Sequence, residues 1–337
     1  MKAIHIAEPL SVKAIETQVP APKKNEALIK VKSAGICGSD ISAFRGMNPL
    51  VSYPRTIGHE IAGEVISIPP NAQGIQPGDK VIVDPYLYCG KCYPCSLNRT
   101  NCCEHLQVLG VHVDGGMSEY FCHPADMLVK APDGMPWDIM CMAEPLTIAL
   151  HGLHRTRLQK GEHIAIIGAG AIGLLAALSA LHYEAVPIVI DIVQERLEKA
   201  RMMGVEHVIN SAAEDVVQAI SRMTGGRKAE VVLEASGANA AVRATLDIVS
   251  HAGRIGLTGW PKQETRLPTD IITKKELDIV GCRTSVGEFE EAIELIDSGK
   301  VDVRKLLTKT VNGKEAAAVI EDIERNPDQY LKVNVLL

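Results

Sequence analysis

Nine cysteines are spread unevenly along this chain, at positions 37, 89, 92, 95, 102, 103, 122, 141 and 282. Four of them, Cys89, Cys92, Cys95 and Cys103, keep the spacing C-x2-C-x2-C-x7-C in a stretch made turn-prone by Gly90 and Pro94. Thiolates so placed can close a tetrahedron around zinc. With four sulfurs there is no open position for a reacting ligand, so the cluster reads as a structural zinc site. Cys102 competes with Cys103 for the fourth place, and Cys103 is favoured. Iron–sulfur ligation also uses closely spaced cysteines and is the weaker reading. A nucleic-acid zinc ribbon would want basic flanks, whereas only Lys91 and Arg99 lie nearby. The odd cysteine count and the clustering argue against a disulfide framework and for metal. The N-terminus reaches Glu8 and Pro9 before an apolar leader core could form, which makes the cytoplasm the expected compartment.

A second chemistry is written in IAIIGAGAIG. Gly168, Gly170 and Gly173 keep the G-x-G-x-x-G spacing, with Ile172 inside the turn. Between a strand and a helix, the first glycine permits the tight turn and the second lets the backbone approach a pyrophosphate. The third lets the helix pack closely on the strand. The phosphate would rest on the helix N-terminus, where free N–H groups favour negative charge. Plain strand–helix turns use glycines too, but Asp191 ends the run PIVID, 21 residues beyond Gly170. A carboxylate there binds the adenosine ribose hydroxyls and repels a 2′-phosphate, so NAD is expected over NADP. A helix N-cap role for Asp191 is compatible with this. Arg196 pulls mildly the other way, since an arginine nearby could accept a phosphate. Thr258-Gly259 and Cys282-Arg283 end later runs on the side where the nicotinamide half would lie.

Positioning both sets takes more than one core, and 337 residues suffice for two domains. Residues 1–150 carry short β-branched runs broken by Pro and Gly (ALIKVKSAG, EIAGEVISI, QPGDKVIV), which predict a mostly β domain. From about 151 to 285 the texture alternates. HIAII, VPIVID, HVIN, EVVLEA, GRIGLTG and LDIVG are separated by helical stretches such as AIGLLAALSALHY, QERLEKARMMG and NAAVRATLDIVS. Six strands with intervening helices predict an α/β, doubly wound parallel sheet. Residues 286–337 hold a helix, EFEEAIELIDSG, and a final strand-like YLKVNVLL that is expected to rejoin the first domain.

Composition narrows the partners. A chain 46% hydrophobic and 23% charged is globular, and its net charge of -6 disfavours nucleic acid and anionic membrane surfaces. Three Phe and two Trp make a base-stacking platform a poor fit. Ile164 to Leu181 is free of charge and long enough to suggest a membrane span, but Gly168, Gly170, Gly173 and Ser179 interrupt it. A small polar molecule is the expected partner.

Three more segments carry single ligand types: GICGSD with Cys37, GHE with His59 and Glu60, and AEP with Glu144. Alone, a buried Cys or His is usually just packed. Together with the cysteine loop and the glycine turn, in this order over nearly the whole chain, they resemble the zinc-dependent medium-chain dehydrogenase/reductase family, in particular its sorbitol and threonine dehydrogenase branch. Bacterial sugar-acid dehydrogenases are the most similar, through GICGSD, YPRTIGHE, the cysteine loop and GVHVDGGMSEY.

That resemblance implies a GroES-like catalytic domain completed by the C-terminal segment, a Rossmann domain, an active site in the cleft between them, NAD, and two zinc ions per chain. By motif match Cys37 and His59 would bind a catalytic zinc. Glu60 and Glu144 would divide the remaining roles, one binding directly and the other through water or by exchange. Zinc as a Lewis acid eases loss of an alcohol proton, and hydride passes to nicotinamide. Ser39 matches the Ser/Thr that takes the proton. Asp40 is expected to hold His59 in its ligand tautomer. Many members carry a His two residues after that Asp; this chain has Ser42, so a relay would run through its hydroxyl, the cofactor ribose or water.

Phe44, Arg45, His112 and Arg283 are candidates to line the substrate cleft, and an arginine there could pair a carboxylate bidentately. The expected reaction is oxidation of a secondary hydroxyl of a sugar acid (hexonate) or polyol to a ketone. The alternatives are an L-threonine 3-dehydrogenase or other small alcohol dehydrogenase, and a non-enzymatic binding protein on the same fold. A zinc-free quinone reductase is disfavoured by the Cys37, His59 and Glu60 set. The resemblance also suggests a homodimer or homotetramer.

Overall fold

In the strand Glu26–Ile36, buried Ala27, Ile29 and Val31 alternate with more open Leu28, Lys30 and Lys32, the period of a half-covered strand. From Ser33 onward every residue is buried. The reason lies in its neighbours. The strand pairs antiparallel with Glu60–Ser67 on one side, and with Tyr120–Pro124 and then Lys332–Leu336 on the other. The sheet runs Leu128–Lys130, Lys80–Val83, Glu60–Ser67, Glu26–Ile36, Lys332–Leu336, Leu307–Asn312. The last residues of the chain thus sit against the middle of its first large sheet. A smaller sheet orders Ser11–Glu16, Lys2–Glu8 and Arg55–Thr56. Ile4, Ile6, Ile36, Ile57, Met117 and Val335 form one core here, and Ile29, Val31, Ile61 and Val81 belong to another.

These elements belong to one of two units in this computed structural model, which describes all 337 residues. The first unit joins Met1–Glu144, Phe289–Ser298 and Leu306–Leu337; the second joins Pro145–Glu288 and Gly299–Lys305. The boundary at Glu144 falls inside the helix Ala143–Arg155.

The second unit holds the six expected strands, all parallel, in the order His207–Asn210, Val186–Asp191, His163–Ile167, Ala229–Glu234, Val249–Leu257, Asp278–Gly281. This is the doubly wound 3-2-1-4-5-6 arrangement, which opens a crevice where the winding reverses, at the carboxyl ends of His163–Ile167 and Ala229–Glu234. The expected helices lie at Ala171–His182, Gln194–Met202 and Asn239–Ile248, and the sheet gains Val216–Met223 and Thr269–Lys275 besides. The uncharged run from Ile164 resolves into strand, glycine turn and helix. No helix is long and apolar enough to cross a membrane.

Candidate functional site

Three adjacent strands of the first unit bring their ends together. Cys37 follows the end of Glu26–Ile36 and caps the helix Gly38–Phe44. Glu60 opens the next strand and stands in register with Gly35. Lys332 opens the strand on the other side, where Val333 pairs with Ile36. A Cβ at Gly35 would fall 1.8 Å from Glu60 Oε2, so glycine there is what leaves room for the carboxylate.

His59 is fixed by packing of the main chain. Gly58 takes φ +99°, and Gly115 lies so close that a Cβ on it would reach 2.2 Å from the Gly58 carbonyl oxygen. Gly116 donates its N–H to that same carbonyl at 3.0 Å, and Gly115 to the Thr56 carbonyl at 2.7 Å. The GVHVDGG loop therefore braces the His59 turn. His112 in it is engaged locally, accepting the Val108 N–H at Nδ1 (3.0 Å).

Ligand atoms of Cys37, His59 and Glu60 all lie within 4.8 Å of one another. Buried His59 Nδ1, Glu60 Oε2 and Ser39 Oγ have no hydrogen-bond partner. Glu60 Oε1 accepts from Lys332 Nζ. Glu144 is outside that mutual distance; its Oε1 takes the hydroxyl of Tyr86. Burial, opposed by His59, pushes the Glu144 carboxyl up to about 7. Burial works against charge on His59, yet Cys37, Asp40 and Glu144 outweigh it and hold the imidazole well above its usual range. A buried centre with this surplus of anionic donors suits a cation, and a thiolate, an imidazole and a carboxylate are the donor set of a zinc site that keeps a place for substrate. Asp40 accepts the Cys37 N–H at 2.9 Å through Oδ2, whereas its Oδ1 is 4.0 Å from His59 Nδ1, beyond a hydrogen bond.

The sulfurs of Cys89, Cys92, Cys95 and Cys103 form a second group within 4.8 Å. Cys92 Sγ is 3.3 Å from Cys95 Sγ and 3.8 Å from Cys103 Sγ, and the N–H groups of Cys89 and His105 point at Cys103 Sγ, each at 3.3 Å. Cys102 is outside the group, beside Arg99. The Lys91 backbone N–H leads in drawing the Cys89 thiol down to about 6, while burial leads in pushing Cys95 up to about 12. Four sulfurs converging in this way are compatible with a structural zinc.

In the second unit the three glycines show three different needs. Gly168 has φ +108°, a conformation open to glycine. Gly170 caps the helix Ala171–His182 with nothing within 4 Å of a Cβ position, leaving an approach to the helix N-terminus. A Cβ on Gly173 would fall 1.8 Å from the Gly168 carbonyl oxygen, so the helix is packed hard on the turn. Asp191 is fastened to the same turn through the Ala169 N–H. Ile172 and Arg196 are half-buried on their helices. Thr258 and Gly259 both donate N–H groups to the Glu234 carbonyl, and Thr258 Oγ1 is buried without a partner. Cys282 is buried, its thiol pushed up to about 11 first by that burial. The Arg283 guanidinium lies over the ring of exposed Trp260, 5.7 Å from its centroid.

One cleft candidate needs correction, and a second is engaged in an ion pair. Phe44 is a core residue, packed in the cluster with Ile4 and Met117, because it lies on the inward face of its short helix. Arg45 is paired with Glu324. Sequence reasoning missed Tyr86, Lys332, Glu234 and Trp260. Lys332 carried a signal, as the one charge in LKVNVLL. So did Glu234, a carboxylate ending an apolar run before Ala-Ser-Gly, whose Oε1 accepts the N–H groups of Ser236 (2.8 Å) and Gly237 (3.0 Å).

Known proteins repeat this layout. The alcohol dehydrogenase GroES-like domain matches residues 23–133, and the zinc-binding dehydrogenase domain matches residues 171–298. An uncharacterized zinc-type alcohol dehydrogenase-like protein of Haemophilus influenzae is 54% identical, over 100% of this chain and 98% of its own. The L-galactonate-5-dehydrogenase of Escherichia coli is 36% identical, over 87% of this chain and 86% of its own. Among solved structures, one described as a short chain alcohol dehydrogenase from E. coli CFT073, complexed with cofactor NADH, is 34% identical. It superposes with a TM-score of 0.93, over 100% of this chain and 99% of that one.

Proposed function

This chain belongs to the zinc-type medium-chain alcohol dehydrogenases, NAD-dependent oxidoreductases of CH–OH groups, and from that premise we propose that it oxidises a secondary hydroxyl of a sugar acid or polyol to a ketone. The observation that carries the reading is the trio Cys37, His59 and Glu60, with ligand atoms within 4.8 Å and unpartnered oxygen and nitrogen atoms among them. In this reading they hold the catalytic zinc, and Cys89, Cys92, Cys95 and Cys103 hold the structural one. When bound, zinc supplies Lewis acidity at the substrate hydroxyl and NAD supplies the hydride acceptor.

The chain's own residues do the rest. Ser39 Oγ is buried with no partner of its own, so it is free to accept the hydroxyl proton, and Ser42 on the same short helix is the next hydroxyl along. Tyr86 fixes Glu144 through its hydroxyl, which keeps that carboxylate oriented. Gly170 and the start of Ala171–His182 take the pyrophosphate, and Asp191 takes the ribose hydroxyls. The sugar-acid substrate is supported by the likeness to an L-galactonate-5-dehydrogenase. A homodimer or homotetramer is part of the same proposal, decided by sedimentation.

The test is NAD reduction by zinc-loaded protein offered hexonates, polyols, L-threonine and simple alcohols. A hexonate or polyol turned over with the highest kcat/KM supports the proposal. L-Threonine in first place would replace it. Bound zinc with no turnover on any alcohol would favour a binding protein.

A further inference from the structure

Glu60 is 1% exposed, and its two oxygens have unlike surroundings. Oε1 accepts from Lys332 Nζ, whereas Oε2 has no partner, and a carboxylate oxygen of Glu60 lies within 4.8 Å of the ligand atoms of Cys37 and His59. Lys332 is itself only 3% exposed and lies 272 residues away in the chain. It is delivered by register: the Lys332–Leu336 strand flanks the end of Glu26–Ile36 on one side, and Glu60 flanks it on the other. Gly35 keeps open the space that Oε2 occupies.

Removing a lysine from water is costly, and an apolar side chain of similar length would cover the same surface without that cost. The charge therefore answers something at the site. Ionised at a metal, Cys37, Glu60 and Glu144 would carry three negative charges against the two positive charges of a zinc ion, with Asp40 buried beside them, so a further cation reduces the excess. Lys332 is bonded to one of these three groups.

We infer that Lys332 is a positioning residue for the catalytic metal: its ammonium holds Glu60 Oε1, presents Oε2 beside Cys37 and His59 as a one-oxygen donor, and offsets part of the negative charge of the donor set. This rests on the metal-site reading above. Partners of metal-binding carboxylates typically change metal affinity about 10–100-fold when removed.

The experiment compares wild type with Lys332→Met, Lys332→Gln and Lys332→Arg. Zinc per chain, the rate of zinc removal by a chelator, and the visible spectrum after cobalt replaces zinc are read alongside thermal unfolding. Wild type is expected to hold two zinc ions. Met and Gln at 332 are expected to lose one of them about tenfold faster or more, with shifted cobalt bands. The four-cysteine zinc leaves at the wild-type rate, and Arg restores retention. Wild-type removal rates and an unchanged cobalt spectrum in the Met and Gln variants would overturn the inference. If the Met variant does not fold, Gln decides, since it can still donate to Oε1 but carries no charge. A Cys37→Ala variant that keeps both zinc ions would defeat the metal-site reading itself, a result distinct from the behaviour of Lys332.

Discussion

Asp191 Oδ2 accepts the backbone N–H of Ala169 at 2.7 Å, inside the glycine turn, and Oδ1 accepts that of Val193 at 2.9 Å. The carboxylate proposed to choose between NAD and NADP is thereby locked to the loop proposed to receive the pyrophosphate. Asp191→Ala removes both the charge that repels a 2′-phosphate and the acceptor that holds the ribose. The ratio of kcat/KM for NAD over NADP is expected to fall about tenfold or more, which corresponds to about 1.4 kcal/mol. An unchanged ratio would assign cofactor choice elsewhere, with Arg196 the first residue to examine.

The glycines at 170 and 173 should fail differently. A methyl on Gly173 meets the Gly168 carbonyl oxygen at 1.8 Å, a Cβ fixed by its own backbone against main chain, where no rotamer can relieve it. Gly173→Ala is expected to cost about 1–3 kcal/mol of stability or more, seen as a lower melting temperature. Gly170→Ala meets nothing within 4 Å and should melt near wild type while NAD affinity drops, because the methyl stands at the helix N-terminus. Equal melting and equal NAD affinity in both variants would remove the assigned division of roles.

The doubly wound unit was legible because its signals are local. Each of the six strands is an apolar run bounded by turn residues, and the third glycine's role follows from its spacing alone. The cysteine loop was legible for the same reason. The partners of Lys332 and Tyr86 were not, since each lies far along the chain: 272 positions for Lys332 to Glu60, and 58 for Tyr86 to Glu144. Pairing of the last strand with Glu26–Ile36 creates the first contact, and no spacing rule predicts that register. Phe44 misled for a related reason. On a helix of seven residues, Gly38–Phe44, the sequence does not reveal which side faces the core.

The two metal groups should separate by consequence. Cys37→Ala and His59→Ala are expected to abolish turnover and lower zinc from two ions per chain to one, with NAD binding kept. Cys92→Ser should also remove one zinc, but its mark should be a lower melting temperature, because the loop from Cys89 to Cys103 has little apolar packing to hold it: among its residues only Cys95, Asn101 and Cys103 are buried. Unaltered thermal unfolding of Cys92→Ser would argue against a structural metal, and normal activity in either of the first two would argue against the catalytic one.

His123 should give the protein a weakness in mild acid. The side chain is 1% exposed, its Nε2 is 2.8 Å from the Asp84 carbonyl oxygen, and its ring stacks on Phe121 with centroids 5.4 Å apart. Burial, only partly opposed by the Asp84 carbonyl, pulls its pKa down to about 4 from the usual 6.5. Between those values the unfolded chain binds a proton that the folded one does not. Stability is therefore full above about pH 6.5 and falls as pH drops toward about 4, by up to about 3 kcal/mol. Asp84 works in the opposite direction, because burial pushes its carboxyl up to about 7 and acid stabilises that neutral form. The contribution of His123 is thus read as a difference. His123→Gln can still donate to the Asp84 carbonyl but does not titrate, so its unfolding free energy, measured by denaturant at pH 7.5 and at pH 5, should decline less than that of wild type. Parallel declines in the two proteins would mean that His123 is not the group taking up the proton on unfolding.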